Sequence, residues 1–186
     1  MTPGKIIPIV TLVLLVGFSA WLQNLFESDE EKKARVAQRH DPDYFMEDFV
    51  LTTMGNDGKP KHRISAPFMQ HFPDDDTTEL NSPSILMFRK SGPPWLIKSD
   101  RGSFTSGGEL VFLSGNVTIS RKSGPTNKPV QLFTDTLKIH PKTEFAETDS
   151  RVVMKSPTQT TEGVGMRAYI RKGVLQLLEN VKVYYE

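Results

Sequence analysis

The chain has 186 residues, room for one domain of ordinary size. Its 23 Lys and Arg against 22 Asp and Glu leave a formal charge of +1, which provides no basic field for nucleic acid and no acidic solvating tail. Cysteine is absent, so a disulfide framework, a Cys-ligated zinc site and a thiol nucleophile are all excluded, while the redox compartment stays open.

Residues 1–5 read as a short tail. From Ile6 to Phe26 run 21 residues without a charge, rich in Ile, Val and Leu; roughly 20 such residues cross the hydrocarbon core of a bilayer, so a transmembrane helix over 6–26 is expected. The competing reading is a cleaved signal peptide. Against it, the run is longer than the usual apolar region of about 7–15 residues, and Phe18-Ser19-Ala20 puts a bulky side chain where cleavage needs a small one. Pro3 and Pro8 sit where a helix start tolerates a missing N–H, and Trp21 and Phe26 sit where interfacial aromatics belong. Orientation is contested within the sequence. Lys5 faces Lys32, Lys33, Arg35 and Arg39 across the span, which by basic-residue count alone disfavours export of the C-terminal part; the short leading tail and the acidic flank Glu27, Asp29, Glu30 and Glu31 argue for export. Residues 27–43 read as a charged linker.

From Tyr44 to Glu186 the texture changes to short apolar runs separated by turn chemistry, such as Gly55-Asn56-Asp57-Gly58, Ser91-Gly92-Pro93-Pro94, Gly107-Gly108 and Lys172-Gly173. Strands are expected at Phe49–Met54, Ile85–Arg89, Trp95–Ser99, Leu110–Ser114, Val117–Arg121, Val130–Phe133, Val152–Lys155, Met166–Ile170 and Val174–Leu178. No stretch keeps a 3.6-residue apolar period for three turns, so residues 44–186 form an all-β domain. An internal repeat runs through it. The triplets Ile85-Leu86-Met87, Val117-Thr118-Ile119, Val152-Val153-Met154 and Val181-Lys182-Val183 recur at intervals of 32, 35 and 29 residues. Gly108 to Asn116-Val117 matches Gly173 to Asn180-Val181. Periods of this size imply stacked supersecondary units that bury a face against their neighbours, giving two facing sheets with period-2 alternation; regular loop lengths in any antiparallel sheet are the competing, less favoured explanation.

No motif for catalysis is present. His40, His62, His71 and His140 are scattered, without HExxH, GxSxG or a phosphate loop. Asp74-Asp75-Asp76 lacks the Gly and distal Glu of a calcium loop and reads as a solvated turn; Glu144 and Glu147 have no sign of a cleft beside them. The expectation is a protein that is not an enzyme, with no cofactor and no metal. A tethered glycosidase or esterase is a distant alternative that two convergent carboxylates in a cleft would revive. What the strands supply is large apolar side chains: Phe49, Phe68, Leu80, Ile85, Met87, Trp95, Ile97, Phe104, Phe112, Ile119, Phe133, Met154 and Met166. They are either an ordinary sandwich core or the lining of a groove that shelters acyl chains, where each buried CH₂ contributes about 0.8 kcal/mol.

The apolar N-terminal run, the charged stalk, Asp41-Pro42-x-Tyr44, the block Leu113-x-Gly115-Asn116-Val117-x-Ile119 and the segment Glu162-Gly163-x-x-Met166-Arg167 running to Val183-Tyr184-Tyr185-Glu186 together resemble the LptC family of lipopolysaccharide export, over essentially the whole chain. The Ser91–Pro94 and Lys122–Pro129 loops are longer than the family pattern. The resemblance implies an inner-membrane, single-pass protein whose C-terminal domain is a twisted, V-shaped β-jellyroll in the periplasm. It implies that the domain receives lipopolysaccharide, by its lipid A acyl chains, from an inner-membrane ABC transporter complex and passes it to a soluble periplasmic β-jellyroll homologue. Strand addition at open edges would join the partners. The N-terminal edge would use Tyr44, Phe45, Phe49 and Leu51. The C-terminal edge would use Gly163, Gly165, Leu175, Leu177, Val181, Val183 and Tyr185, with the two glycines at a positive-φ turn before the last strands. The alternative within this frame is an anchored β-scaffold that only docks partner proteins.

Overall fold

The structure is a computed structural model that describes residues 14–22, 40–89, 92–105, 108–125, 128–170 and 172–185. The chain divides into two units, Met1–Asp41 and Pro42–Glu186. In the first, residues 14–22 are helical, with Leu14, Leu15, Val16 and Phe18 exposed and the Phe18 and Trp21 rings 5.9 Å apart. No helix among the described residues is long and apolar enough to cross a membrane. The remainder of the expected 6–26 span and the linker up to residue 39 lie outside the described residues.

In the second unit eleven strands among the described residues form one antiparallel sheet: β1 (Tyr44–Met54), β2 (Pro60–Phe72), β3 (Thr77–Asn81), β4 (Ser84–Met87), β5 (Trp95–Lys98), β6 (Arg101–Thr105), β7 (Val111–Arg121), β8 (Val130–His140), β9 (Phe145–Ser156), β10 (Gln159–Tyr169) and β11 (Val174–Tyr185). β3 and β4 lie end to end along one edge of β2, and β5 and β6 lie end to end along one edge of β7. Because β3 also pairs β6 and β4 pairs β5, the four short strands are two long strands interrupted in the middle. With β3-β4 and β5-β6 each counted as one interrupted strand, the whole is a meander in which each strand pairs with its chain neighbours.

The interruptions fall on one line across the sheet. It passes through Asp48, Ala66-Pro67, Ser82-Pro83, Ser99-Asp100, Gly115-Asn116, Asp135, Asp149-Ser150, Gly163 to Gly165 and Asn180, where the registers break or shift. Asp48, Ser82, Gly115, Asn116, Gly165 and Asn180 on this line all have positive φ. That conformation bends a strand, and Gly, Asn and Asp tolerate it best. Pro67 and Pro83 contribute differently, since a residue without an N–H cannot carry the ladder onward. Bonds stitch the line across strands: Ser82 N–H to Asp100 O at 2.7 Å, Asp100 N–H to Gly115 O at 2.9 Å, and the Asn116 side-chain amide to Asp100 Oδ2 at 2.8 Å. A Cβ on Gly115 would sit 2.7 Å from that carboxylate, so only glycine fits there.

The line is a crease that folds the sheet into two layers. One layer holds the first halves of β1, β7, β9 and β11, the second halves of β2, β8 and β10, and β3 and β6; the other layer holds the complementary halves with β4 and β5. Side chains from both layers meet in one core cluster, including Leu113, Leu137, Ile139 and Met166 from the first and Ile85, Ile97, Leu132 and Val152 from the second. A smaller cluster near β1 to β3 holds Ala66, Met69 and Leu80, with Phe49, Ile64 and Phe104 against it. Near the crease, β8 and β9 share a hydroxyl network in which Thr136 Oγ1 lies 2.8 Å from Ser150 Oγ and 3.2 Å from Thr148 Oγ1.

The expected facing sheets are thus two layers of one folded sheet. Leu110–Ser114 and Val117–Arg121, expected as separate strands, are the two halves of β7, with Gly115-Asn116 as a bulge inside it. β2 and β3 are not among the strands expected from the sequence, because their prolines and threonines mask the alternation. The repeat has a structural meaning. The four recurring triplets are the segments that leave the crease into the second layer, and Asn116 and Asn180 of the matching blocks both occupy the crease with φ near 50°.

Candidate functional site

Between the layers lies a cavity of about 300 Å³. Its wall in the second layer is Met87, Trp95, Ile97, Ile119, Leu132 and Met154; its wall in the first layer is Leu137, Ile139, Ala146, Met166 and Ala168. Tyr169, Ile170, Gly173, Val174 and Leu175, at the β10–β11 turn, form one lip, and Arg89, Arg121 and Val130, at the β4–β5 and β7–β8 turns, form the other. Arg89, Val174 and Leu175 are exposed, so the cavity reaches solvent at the hairpin tips, away from the crease.

Period-2 alternation explains who lines it. In β7, Val111 and Leu113 face inward and so do Val117 and Ile119, because Gly115-Asn116 inserts two residues and keeps the count; opposite them β8 has only Asp135, and its inward series moves from Leu132 and Thr134 to Leu137 and Ile139. Of the thirteen side chains proposed for a groove, Met87, Trp95, Ile97, Ile119, Met154 and Met166 line the cavity, and Ile85 packs in the core cluster beside it. Phe49, Leu80 and Phe104 belong to the cluster near β1. Phe68, Phe112 and Phe133 do not join them. Phe112 alternates with the buried Val111 and Leu113, and Phe133 lies between buried Leu132 and Thr134, itself 37% exposed with Lys155 Nζ 5.8 Å from its ring. Phe68 stacks on exposed Phe45 with centroids 5.9 Å apart. These three were chosen by size, whereas strand parity decides the face. Parity would also have found Leu132, Leu137 and Ile139, which the sequence reading missed.

The two ends of the meander are single-sided. Among the described residues β1 pairs only with β2 and β11 only with β10. Along β1, Tyr44, Phe45, Met46, Val50, Leu51 and Met54 are exposed, while Phe49 is half-buried; along β11, Leu175, Leu178, Val181, Val183 and Tyr185 are exposed and Leu177 is half-buried. Gly163 and Gly165 are not at a turn before the last strands but inside β10, at the crease; Gly165 has φ of 73° and Gly163 has ordinary φ. Both are buried beneath β11, where a Cβ on Gly163 would lie 3.3 Å from Glu179 O and one on Gly165 would lie 3.0 Å from Leu178 Cδ1.

Near the start of β1, His71 lies between two carboxylates, and hydrogen bonds to Asp76 and Asp43 hold its pKa above the ordinary histidine value. Burial, with Lys61 adding to it, pushes His62 the other way. The Glu109 carboxyl is held low by the Lys142 ammonium 2.6 Å away.

The family described as lipopolysaccharide-assembly, LptC-related, matches residues 9–186. The chain belongs to this family. LptC relatives span nearly its whole length: the lipopolysaccharide export system protein LptC of Escherichia coli (strain K12) is 24% identical over 182 residues, covering 97% of this chain and 92% of the relative. The protein of the same description from Haemophilus influenzae is 20% identical over 185 residues, covering 90% and 88%. A solved structure with the same fold is LptH of Pseudomonas aeruginosa, titled the LptA-homologous periplasmic component of the lipopolysaccharide transport device. It superposes with a TM-score of 0.54 at 9% identity over 67% of this chain and 94% of that one. The fold of the second unit is therefore that of an LptA-like jellyroll. As an LptC-family member, the chain works in lipopolysaccharide export and is a transport protein, not an enzyme.

Proposed function

We propose that the folded sheet carries lipopolysaccharide by sheltering its lipid A acyl chains between the two layers, which part toward the hairpin tips as a V. The observation behind this reading is the apolar cavity bounded by both layers and open at their lips. At about 0.8 kcal/mol per buried CH₂, lodging a chain of about twelve carbons offsets on the order of 10 kcal/mol of exposure to water. The apolar run 6–26 anchors the chain in the inner membrane, residues 27–43 lead away from it, and residues 44–186 work in the periplasm. With no nucleotide-binding motif in the sequence, the driving energy comes from an inner-membrane ABC transporter complex. The exposed backbone of β1 meets that complex and the exposed backbone of β11 meets a soluble periplasmic jellyroll, so that sheets join edge to edge into one apolar path.

A photo-crosslinker at Met87 or Met154 in the full chain captures lipopolysaccharide under this reading, while one at Phe112 or Phe133 on the outer face does not. Equal capture at all four positions, or capture at none, removes the cavity from the transport path. An anchored scaffold that only docks proteins gives the second of these results with partner binding intact.

A further inference from the structure

We propose that Arg89 and Arg121 form an anion-binding lip that takes the lipid A phosphate of lipopolysaccharide while its acyl chains fill the cavity, an assignment that rests on the reading of the cavity as a lipid site. Both arginines stand one step beyond an inward-facing apolar series: Arg89 two residues past the end of β4, after Ile85 and Met87, and Arg121 at the end of β7, after Val117 and Ile119. Each therefore stands at a position whose parity calls for an apolar side chain. Among the residues lining the cavity there are two guanidinium groups and no carboxylate, and neither arginine forms an ion pair among the described residues.

Arg121 is held in place rather than satisfied. Its guanidinium carbon lies 4.8 Å from the Trp95 ring centroid, and Nη2 donates to Lys128 O at 3.3 Å. Its Nε is buried without a hydrogen-bond partner among the described residues. A guanidinium carries five N–H donors, and one stacked flat at the lip is prepared for a charge-assisted contact with an oxyanion, which a phosphate supplies and a hydrocarbon does not. The placement also fits the shape of the ligand. Chains directed toward the crease leave their head at the hairpin tips, where Arg89 is exposed. The opposite lip is apolar at Val174 and Leu175.

The test uses the purified full chain in nonionic detergent and two probes, lipid A carrying its phosphates and the same lipid A dephosphorylated, each measured by displacement of a bound fluorescent fatty acid. The wild type is expected to bind the phosphorylated form about tenfold more tightly, and Arg89→Gln with Arg121→Gln to bind the two forms with equal affinity. Arg89→Gln alone, at an exposed position, is expected to lose part of the preference without touching the core. Equal wild-type affinity for the two forms overturns the lip without recourse to any variant. In that event Ala168→Trp, which fills the cavity, tells the two readings apart: loss of both ligands keeps the cavity and refutes only the lip, whereas unchanged binding of both refutes the cavity as well.

Discussion

His71 Nδ1 lies 2.7 Å from Asp43 Oδ1 and its Nε2 lies 2.9 Å from Asp76 Oδ1, so one ring on β2 ties the chain ahead of β1 to the β2–β3 turn. The Tyr44 ring stacks on it at 4.8 Å, and Asp43 N–H donates to His71 O. Only an imidazolium has an N–H on both nitrogens, so both contacts are charge-assisted hydrogen bonds together only when the ring is protonated. With a folded pKa raised above the ordinary 6.5, the latch is fully formed below pH 6.5 and is lost as pH rises through the raised value. Amide hydrogen exchange at Tyr44 to Glu47, corrected for intrinsic rate, is expected to show less protection at pH 8.5 than at pH 5.5. In His71→Gln the protection is expected to be low at both. PH-independent protection in the wild type would dismiss the latch.

Leu113 and Phe112 are adjacent in sequence and opposite in role. Leu113 is 0% exposed and touches both layers' core, whereas Phe112 faces away from it. Leu113→Ala is expected to cost about 2–5 kcal/mol in urea unfolding, and Phe112→Ala about 1 kcal/mol. Comparable losses would mean that the two neighbours do not face opposite sides of the sheet as described.

The glycines of β10 act through β11. Gly165→Ala places a side chain at φ of 73° and against Leu178, with an expected cost of about 1–2 kcal/mol. Gly163→Arg meets the backbone of Glu179 and the Leu177 side chain, so β11 is expected to lift from β10. Its amides from Val174 to Tyr185 then exchange faster, and capture of the soluble jellyroll falls. Wild-type exchange in β11 with lost capture would point instead to a direct contact at Gly163.

Val181 is an exposed residue of the open edge strand β11. A lysine there disfavours the addition of another strand while leaving the fold alone. Val181→Lys is expected to weaken binding of the soluble jellyroll about tenfold, or 1.4 kcal/mol, with folding stability changed by no more than about 0.5 kcal/mol. Binding at wild-type strength would move the docking edge elsewhere.

Much of this was legible in the residues. The absence of long apolar helical periods after Tyr44 fixed the β class, the glycine-rich turns located the hairpin tips, and the Asn116 and Asn180 blocks announced the repeat. These are local signals, since turn conformation and alternation depend on a few neighbouring residues. The face taken by Phe68, Phe112 and Phe133 was not legible by size. Inward parity counts from bulges, and a bulge such as Gly115-Asn116 is recognised only once its partners on β6 and β8 are known. The crease was hidden for the same reason: Asp48, Ser82 and Asp135 are unremarkable apart, and only non-local pairing brings them into one line. The sequence by itself determined the β class, the turn positions and the family to which the chain belongs. Tertiary structure decided that one sheet folds over on itself, that its two halves enclose the cavity, and that Arg89 and Arg121 stand at its lip, because pairing between distant segments sets which face a side chain shows and what it meets there.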